Sequence, residues 1–301
     1  MQPPLARLRG TVGLWSSAHE DVPPAAAPLL VREAEALGYR AYWFPESWFR
    51  ESLTSATMLL GGTSGLTIAT GITSIWGRDA VSALSAARTL NAAYGDRFVL
   101  GLGVSHSPLV ERLRAQHYEK PYDRMRAYLD HMDEAKSLSP EADHPYTRVI
   151  AALGPRMLEL AATRADGAHT YLVDPRHTAE ARSRLGGAFL AVEQAVVVTP
   201  SREEFLERAH RHLEFYTGLE NYRANWRRMG LGPDDFVRGG SERLCDEMVV
   251  HGDAEAIAHR VAEHFAAGAD HVCLQVLGAD PQVPPLDEWR LVARALQLSA
   301  N

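Results

Sequence analysis

Short apolar runs alternate with amphipathic stretches along almost the whole chain. The runs, rich in β-branched and aromatic residues and bounded by Gly, Pro or charge, read as buried strands. They fall at Gly10–Trp15, Arg40–Phe44, Leu66–Thr73, Phe98–Gly103, Arg148–Leu153, Ala168–Leu172, Ala188–Thr199 and His271–Leu277. The stretches between them carry apolar residues at helical spacing. They predict helices over Pro23–Leu37, Thr54–Leu60, Asp79–Tyr94, Pro121–Ser137, Arg156–Arg164, Pro175–Leu185, Asp253–Ala267 and Leu286–Leu298. Gly38 suits a helix C-terminal cap, and Pro121 and Pro155 suit first turns. Two stretches break the rhythm: the polar Ser105–Lys120 after the fourth strand, and the Arg-rich helical Ser201–Met229, continued by Ser241–His251, after the seventh. Eight strands with intervening helices over about 250–300 residues is the profile of a (β/α)8 TIM barrel. An open doubly wound sheet competes; the count and regularity favour the barrel, with insertions after strands four and seven. No repeat or linker divides the chain, so residues 1–301 are expected to form one domain.

In α/β folds ligands bind at the carboxyl edge of the strands. The loops of chemical character at that edge are Gly71–Arg78 and Gly103–Ser107. Net charge is −7, which supplies no positive field for nucleic acid or an anionic membrane. No apolar run reaches the ~20 residues of a membrane helix, and the N-terminus lacks a signal-peptide core. A cytoplasmic protein with a small-molecule substrate is expected. Cys245 and Cys273 have no paired spacing, so both read as reduced and buried.

Several rim segments carry candidate chemistry. At Leu153-Gly154-Pro155-Arg156-Met157 a helix starts at a strand end, and its free amides suit phosphate. Gly154 permits close backbone approach, and Pro155 gives up no amide the helix needs. Arg156 either adds a charge-assisted bond or points to solvent. In Gly103-Val104-Ser105-His106-Ser107, His106 titrates near neutral pH and suits a general acid; the other reading is a solvated loop histidine. Glu46 follows strand two, where a carboxylate reads as a helix cap or a salt-bridge partner. Trp15, Trp48 and Trp76 fall at or past strand ends on one edge, which predicts an apolar pocket for a planar ligand. Arg78 either anchors an acidic group or is solvated. Glu193-Gln194 lie inside the apolar strand seven, where a carboxylate must be paired or face the barrel mouth. His210 and His212 point apart on a helix and read as surface residues. No metal site is expected. A Rossmann NAD site lacks its Gly-x-Gly-x-x-Gly. The basic, aromatic Tyr222–Met229 reads as a lid, a substrate-tail contact or a dimer contact.

The ordered set Ala69–Thr73, Arg97–Val104, Tyr122–Met125, Ala151–Met157, Ala165–Ala168, Glu193–Val197 and Val250–Asp253 resembles the bacterial luciferase-like monooxygenase superfamily. It resembles most the branch that uses the deazaflavin F420 in place of FMN. The resemblance implies a TIM barrel, a frequent homodimer, and hydride transfer between the deazaflavin and a small organic substrate. It implies a non-prolyl cis peptide at Gly71-Ile72 behind the ring, and a phosphate cradle at Gly154–Met157. It also places Gly103, Val104 and Ser105 beside the cofactor. The sugar-phosphate dehydrogenases of that branch carry an Asp-His pair after strand two and a glutamate after strand four. This chain has Glu46-Ser47 and His106 there, which disfavours sugar-phosphate oxidation; the resemblance then implies a proton-transfer pair with acid and base exchanged, Glu46 and His106. An FMN-dependent monooxygenase fed by a separate reductase, or a non-catalytic flavin-binding barrel, are the alternatives.

Overall fold

The structure is a computed structural model that describes residues 4–46, 50–135 and 139–299. Eight parallel strands close a barrel: β1 (Thr11–Trp15), β2 (Ala41–Phe44), β3 (Thr67–Thr70), β4 (Phe98–Gly103), β5 (Thr147–Ala151), β6 (Gly167–Thr170), β7 (Phe189–Val198) and β8 (His271–Val276). Each strand pairs with the next, and β8 pairs with both β1 and β7. This is the expected (β/α)8 TIM barrel.

Side chains alternate along every strand and build two cores. Leu14, Tyr42, Phe44, Ile68, Leu100 and Leu274 face the surrounding helices. Trp43, Ala69, Val99, Val149, Ala191 and Cys273 form the other cluster, inside the barrel. The inner layer is unusually polar. Trp43 stacks on His169 with ring centroids 4.8 Å apart, and His271 lies 6.2 Å from the same indole. Glu193 on β7 is fully buried beside Cys273 of β8. Gln194 points the other way, and its amide oxygen meets His264 Nε2 at 3.0 Å. The two adjacent polar residues therefore serve opposite faces of one strand.

Between β3 and β4 the register slips by one residue. Ala69 pairs with Val99, but Thr73 pairs with Leu102. The extra residue makes a bulge. Thr70 bridges it, its hydroxyl donating to Gly101 O at 2.8 Å and accepting from Gly101 N at 2.9 Å. The backbones approach so closely that a Cβ on Gly101 would lie 1.8 Å from Thr70 O. Gly101→Ala is therefore expected to cost on the order of 3 kcal/mol or more of stability, read by urea denaturation. A loss under about 1 kcal/mol would show that the bulge relaxes freely.

The helical stretch after β7 differs from expectation. Ser201–Met229 divides into helices Arg202–Leu213 and Glu220–Arg228 with a turn between. The expected helical Ser241–His251 ends at Met248, because Val249–Gly252 pairs in parallel with the end of β7. After β4, Leu109–Leu113 forms one π-helical turn before helix Pro121–Glu134. No helix among the described residues is long and apolar enough to cross a membrane.

Candidate active site

The carboxyl ends of the strands open into one cavity of about 850 Å³. Trp15, Glu46, Gly71, Ile72, Gly103, Val104, Ser105, His106 and the turn Gly154–Met157 all line it. Sequence reasoning thus collects most of its candidates in one place. Trp76 is the exception. Its indole is buried outside the cavity lining, donating to Val104 O at 2.8 Å, with Tyr118 and the Arg124 guanidinium against it. The short strand Thr73–Ser74 carries the chain past the rim, so Trp76 braces the Val104 loop from behind and forms no part of the pocket wall. Trp48 lies outside the described residues.

The Gly71-Ile72 peptide bond is cis. Gly71 N donates to Phe44 O at 2.7 Å, and Ile72 O accepts from Glu46 N at 3.0 Å. A Cβ on Gly71 would stand 2.6 Å from Trp15 Nε1, so only glycine fits under that indole. Ile72 in turn covers Gly103, where a Cβ would meet Ile72 Cγ1 at 2.3 Å. Strand ends β1, β3 and β4 are thus locked together as one wall.

Glu46 is heavily engaged. Its carboxylate accepts from both ends of the Arg78 guanidinium at 2.6 and 3.0 Å and from Ser74 N at 2.7 Å. Arg114 stands 3.3 Å away. Arg78 also pairs with Glu51 and lies outside the cavity lining, so it is not placed to anchor an acidic cofactor tail. His106 packs against Phe215 and Tyr222, with Nδ1 shielded from solvent and unpartnered. Burial pulls its imidazole down to about 4, so at neutral pH it is an uncharged group and not the near-neutral acid the loop position suggests.

The turn at Gly154 has two arginines beside it. The Arg156 guanidinium lies over the Tyr122 ring at 4.1 Å. Arg228 donates to Asn225 Oδ1 at 2.8 Å and reaches Leu153 O at 3.5 Å, and a Cβ on Gly154 would lie 3.6 Å from its Nη2. A ten-residue helix, Pro155–Arg164, starts there with its positive end toward the cavity. This end of the cavity fits an anionic group. The opposite wall is aromatic and polar. Tyr216 donates to Tyr171 Oη at 3.0 Å, and Tyr171 donates to Gln275 Oε1 at 2.7 Å. Trp15 lies 5.0 Å from the Tyr171 ring.

Sequence reasoning missed Glu20, Tyr171, Arg208, His212, Tyr216 and Gln275, which also line the cavity. Inward alternation along β6 and β8 would have marked Tyr171 and Gln275, the next odd positions after His169 and Cys273. His212 corrects an expectation. It is no surface residue: helix Arg202–Leu213 lies over the barrel mouth, and burial pulls the imidazole to about 4. His210 points elsewhere, its Nδ1 3.0 Å from Gly239 O. No cluster of metal-ligating side chains occurs among the described residues.

Similarity to known proteins agrees with this arrangement. The profile of the luciferase-like monooxygenase family matches residues 9–271. A Mycobacterium tuberculosis protein named for coenzyme F420-dependent oxidoreductase activity is 25% identical, over 85% of this chain and 91% of its own. In three dimensions the chain is similar to an F420-dependent secondary alcohol dehydrogenase in complex with an F420-acetone adduct. That match has a TM-score of 0.74 and 16% identity, over 96% of this chain and 99% of the other. It is also similar to the EDTA monooxygenase of Chelativorans sp., with a TM-score of 0.71 and 12% identity, over 97% and 96% of the two chains. The family match runs from β1 to the start of β8 and includes the strand ends of β1 to β7 that build the cavity: the chain belongs to the luciferase-like monooxygenase family.

Proposed function

We propose that the protein is an F420-dependent oxidoreductase acting on a small organic substrate. One observation carries the reading. A single cavity joins an anion-suited end, at Gly154 with Arg156 and Arg228, to an apolar wall at Trp15, Gly71, Ile72 and Gly103. A planar ring bearing a phosphate tail matches both ends. The similarity to a relative named for F420-dependent activity supports the deazaflavin over FMN. F420, when bound, supplies a ring carbon that accepts or donates hydride. The chain's own part is to hold and orient. Arg156, Arg228 and the free end of helix Pro155–Arg164 would hold the phosphate, and Gly71-Ile72 would back the ring. Tyr171, Tyr216 and the uncharged His106 and His212 would line the substrate's side. A cytoplasmic homodimer remains part of this reading.

Fluorescence titration of the purified protein with oxidised F420 and, separately, FMN tests it. Tight binding of F420 and weak binding of FMN is the expected result. Preference for FMN would make the protein a two-component monooxygenase. Binding of F420 without reoxidation of its reduced form by any acceptor would favour a non-catalytic barrel. Arg228→Ala is expected to weaken F420 about 10- to 100-fold, the range of one lost charge-assisted hydrogen bond. An unchanged affinity would move the phosphate away from Gly154.

A further inference from the structure

We propose that Glu20 is the residue that exchanges a proton with the substrate during the redox step, an inference that rests on the F420 reading above. The placement of Glu20 comes from the turn that follows β1. Ala18–Glu20 form one 3-10 turn at the barrel rim, closed by Glu20 N donating to Ser17 O at 2.7 Å and Ala18 N to Ser16 Oγ at 3.1 Å. Arg50 pins this turn from outside. Its two terminal nitrogens donate to His19 O and Val22 O, both at 2.6 Å. The guanidinium therefore spends its strong hydrogen bonds on backbone carbonyls and leaves the carboxyl next to it unclaimed. Glu20 lines the cavity. Its Oε1 has only a long contact, 3.4 Å from Arg50 N, and its Oε2 is shielded from solvent with no partner.

The other acid–base candidates in the cavity are engaged, held neutral (His169 included) or exposed. The Glu46 carboxylate already meets Ser74 N, Arg78 and Arg114. His106 and His212 are held neutral, and burial raises the phenols of Tyr171 and Tyr216. Asp21 is exposed at the mouth. The groups facing Glu20 are Arg50, Asp21, Glu46, His19 and Tyr42. Burial, the largest influence, raises its carboxyl to about 7; Arg50 opposes this, and Asp21 and Glu46 add to it. His19 is neutral, pulled to about 3, and Tyr42 stays protonated. A carboxyl poised near the working pH both gives and takes a proton readily.

In the reducing direction, F420 held by Arg156, Arg228 and the Gly71-Ile72 wall would supply hydride to the carbon of a carbon–heteroatom double bond. The π electron pair moves to the heteroatom, which takes the Glu20 proton. Water then reprotonates the carboxylate. In the oxidising direction Glu20 takes the proton from the substrate as hydride leaves for oxidised F420.

The test compares wild type, Glu20→Gln and Glu20→Asp. Oxidised F420 binding is read by fluorescence, and oxidation of reduced F420 is followed from pH 5 to 9 with a panel of small aldehydes, ketones and cyclic imines. Glu20→Gln is expected to bind F420 within twofold of wild type and to turn over at least 100-fold more slowly. The limb near pH 7 should vanish in Glu20→Gln and shift in Glu20→Asp, which retains part of the rate. Turnover of Glu20→Gln within threefold of wild type, with an unchanged pH profile, overturns the assignment and leaves the cofactor reading standing. Failure of wild type itself to bind F420 overturns both. If wild type binds F420 and turns over no member of the panel, carbon-13 NMR of carboxyl-labelled glutamate decides. A resonance titrating near pH 7 and missing from Glu20→Gln supports Glu20; titration in the ordinary carboxylate range overturns it.

Discussion

Lowering the pH from 7 to 5 is expected to remove about 7 kcal/mol of stability, enough to unfold a domain at the lower end of the usual 5–15 kcal/mol. His19, His169, His264 and His271 are almost wholly buried. Burial pulls the first three to about 3 and His271 to about 4. These imidazoles are neutral in the folded chain, as in His264, which meets Thr178 Oγ1 through Nδ1 and the Gln194 amide oxygen through Nε2. Each folded value lies below the unfolded one of 6.5. Their contribution is therefore complete above pH 6.5 and lost as pH falls toward 3–4. At pH 5 the unfolded chain binds nearly one more proton per imidazole, about 2 kcal/mol each and about 8 kcal/mol together. Glu193 acts with the opposite sign. Burial raises its carboxyl from 4.5 to about 8, so its contribution is complete below pH 4.5 and lost as pH rises through 8. Going from pH 7 to 5 it returns roughly 2–3 kcal/mol, and Glu20, raised to about 7, returns up to about 2 more. The cavity histidines His106 and His212, pulled to about 4, lose about 2 each, so the net loss is about 7 kcal/mol.

Urea denaturation followed by circular dichroism at pH 5, 6, 7 and 8 measures this. The expected slope near pH 5.5 corresponds to uptake of about three to four protons on unfolding. Glu193→Gln mimics the neutral acid, since its amide oxygen takes over the bond from Leu172 N, 2.9 Å in length. It should match wild type at pH 5 and exceed it by roughly 3 kcal/mol at pH 8. An unfolding free energy that stays level from pH 7 to 5 would mean that water or local opening lets these imidazoles charge inside the fold.

The barrel was legible because each strand is a short apolar run with a helix of clear period after it, and period alone separates the two. The rim turns were legible in part, since Gly71, Gly103 and Gly154 stand where a strand ends. Less visible was how the rim folds back on itself. Trp15 and Trp76 follow similar strand ends, yet one bulge between β3 and β4 turns Trp76 away from the cavity. Glu20 and Glu46 are both rim glutamates, and no local pattern says which finds arginines. Arg78 lies 32 positions after Glu46. His212 reads as surface from its own helix, because the barrel mouth that buries it is built by distant strand ends. Period is a local property; partners are set by the closed barrel.

Replacing Glu46 with alanine is expected to cost about 3–5 kcal/mol, the usual penalty for leaving one half of a buried ion pair without the other. The Glu46 side chain is 4% exposed and that of Arg78 10%. Alanine would leave Arg78 with the exposed Glu51 as its remaining partner and would strip the acceptor from Ser74 N. Ser74 belongs to the Thr73–Ser74 strand, which pairs with β4 beside the cavity wall. The loss should therefore appear as lower stability and, in the surviving fold, as weaker cofactor binding. Glu46→Leu combined with Arg78→Met removes the more buried pair of charges and should recover part of the stability, the remainder being the cost of Arg114 and Ser74 N left without the carboxylate. Thermal and urea unfolding of the single and double variants would measure it. A Glu46→Ala protein that unfolds within 1 kcal/mol of wild type and binds F420 as wild type does, but fails in turnover, would mean that the ion pair is dispensable to the fold and that the Glu46 carboxylate acts on the substrate after all.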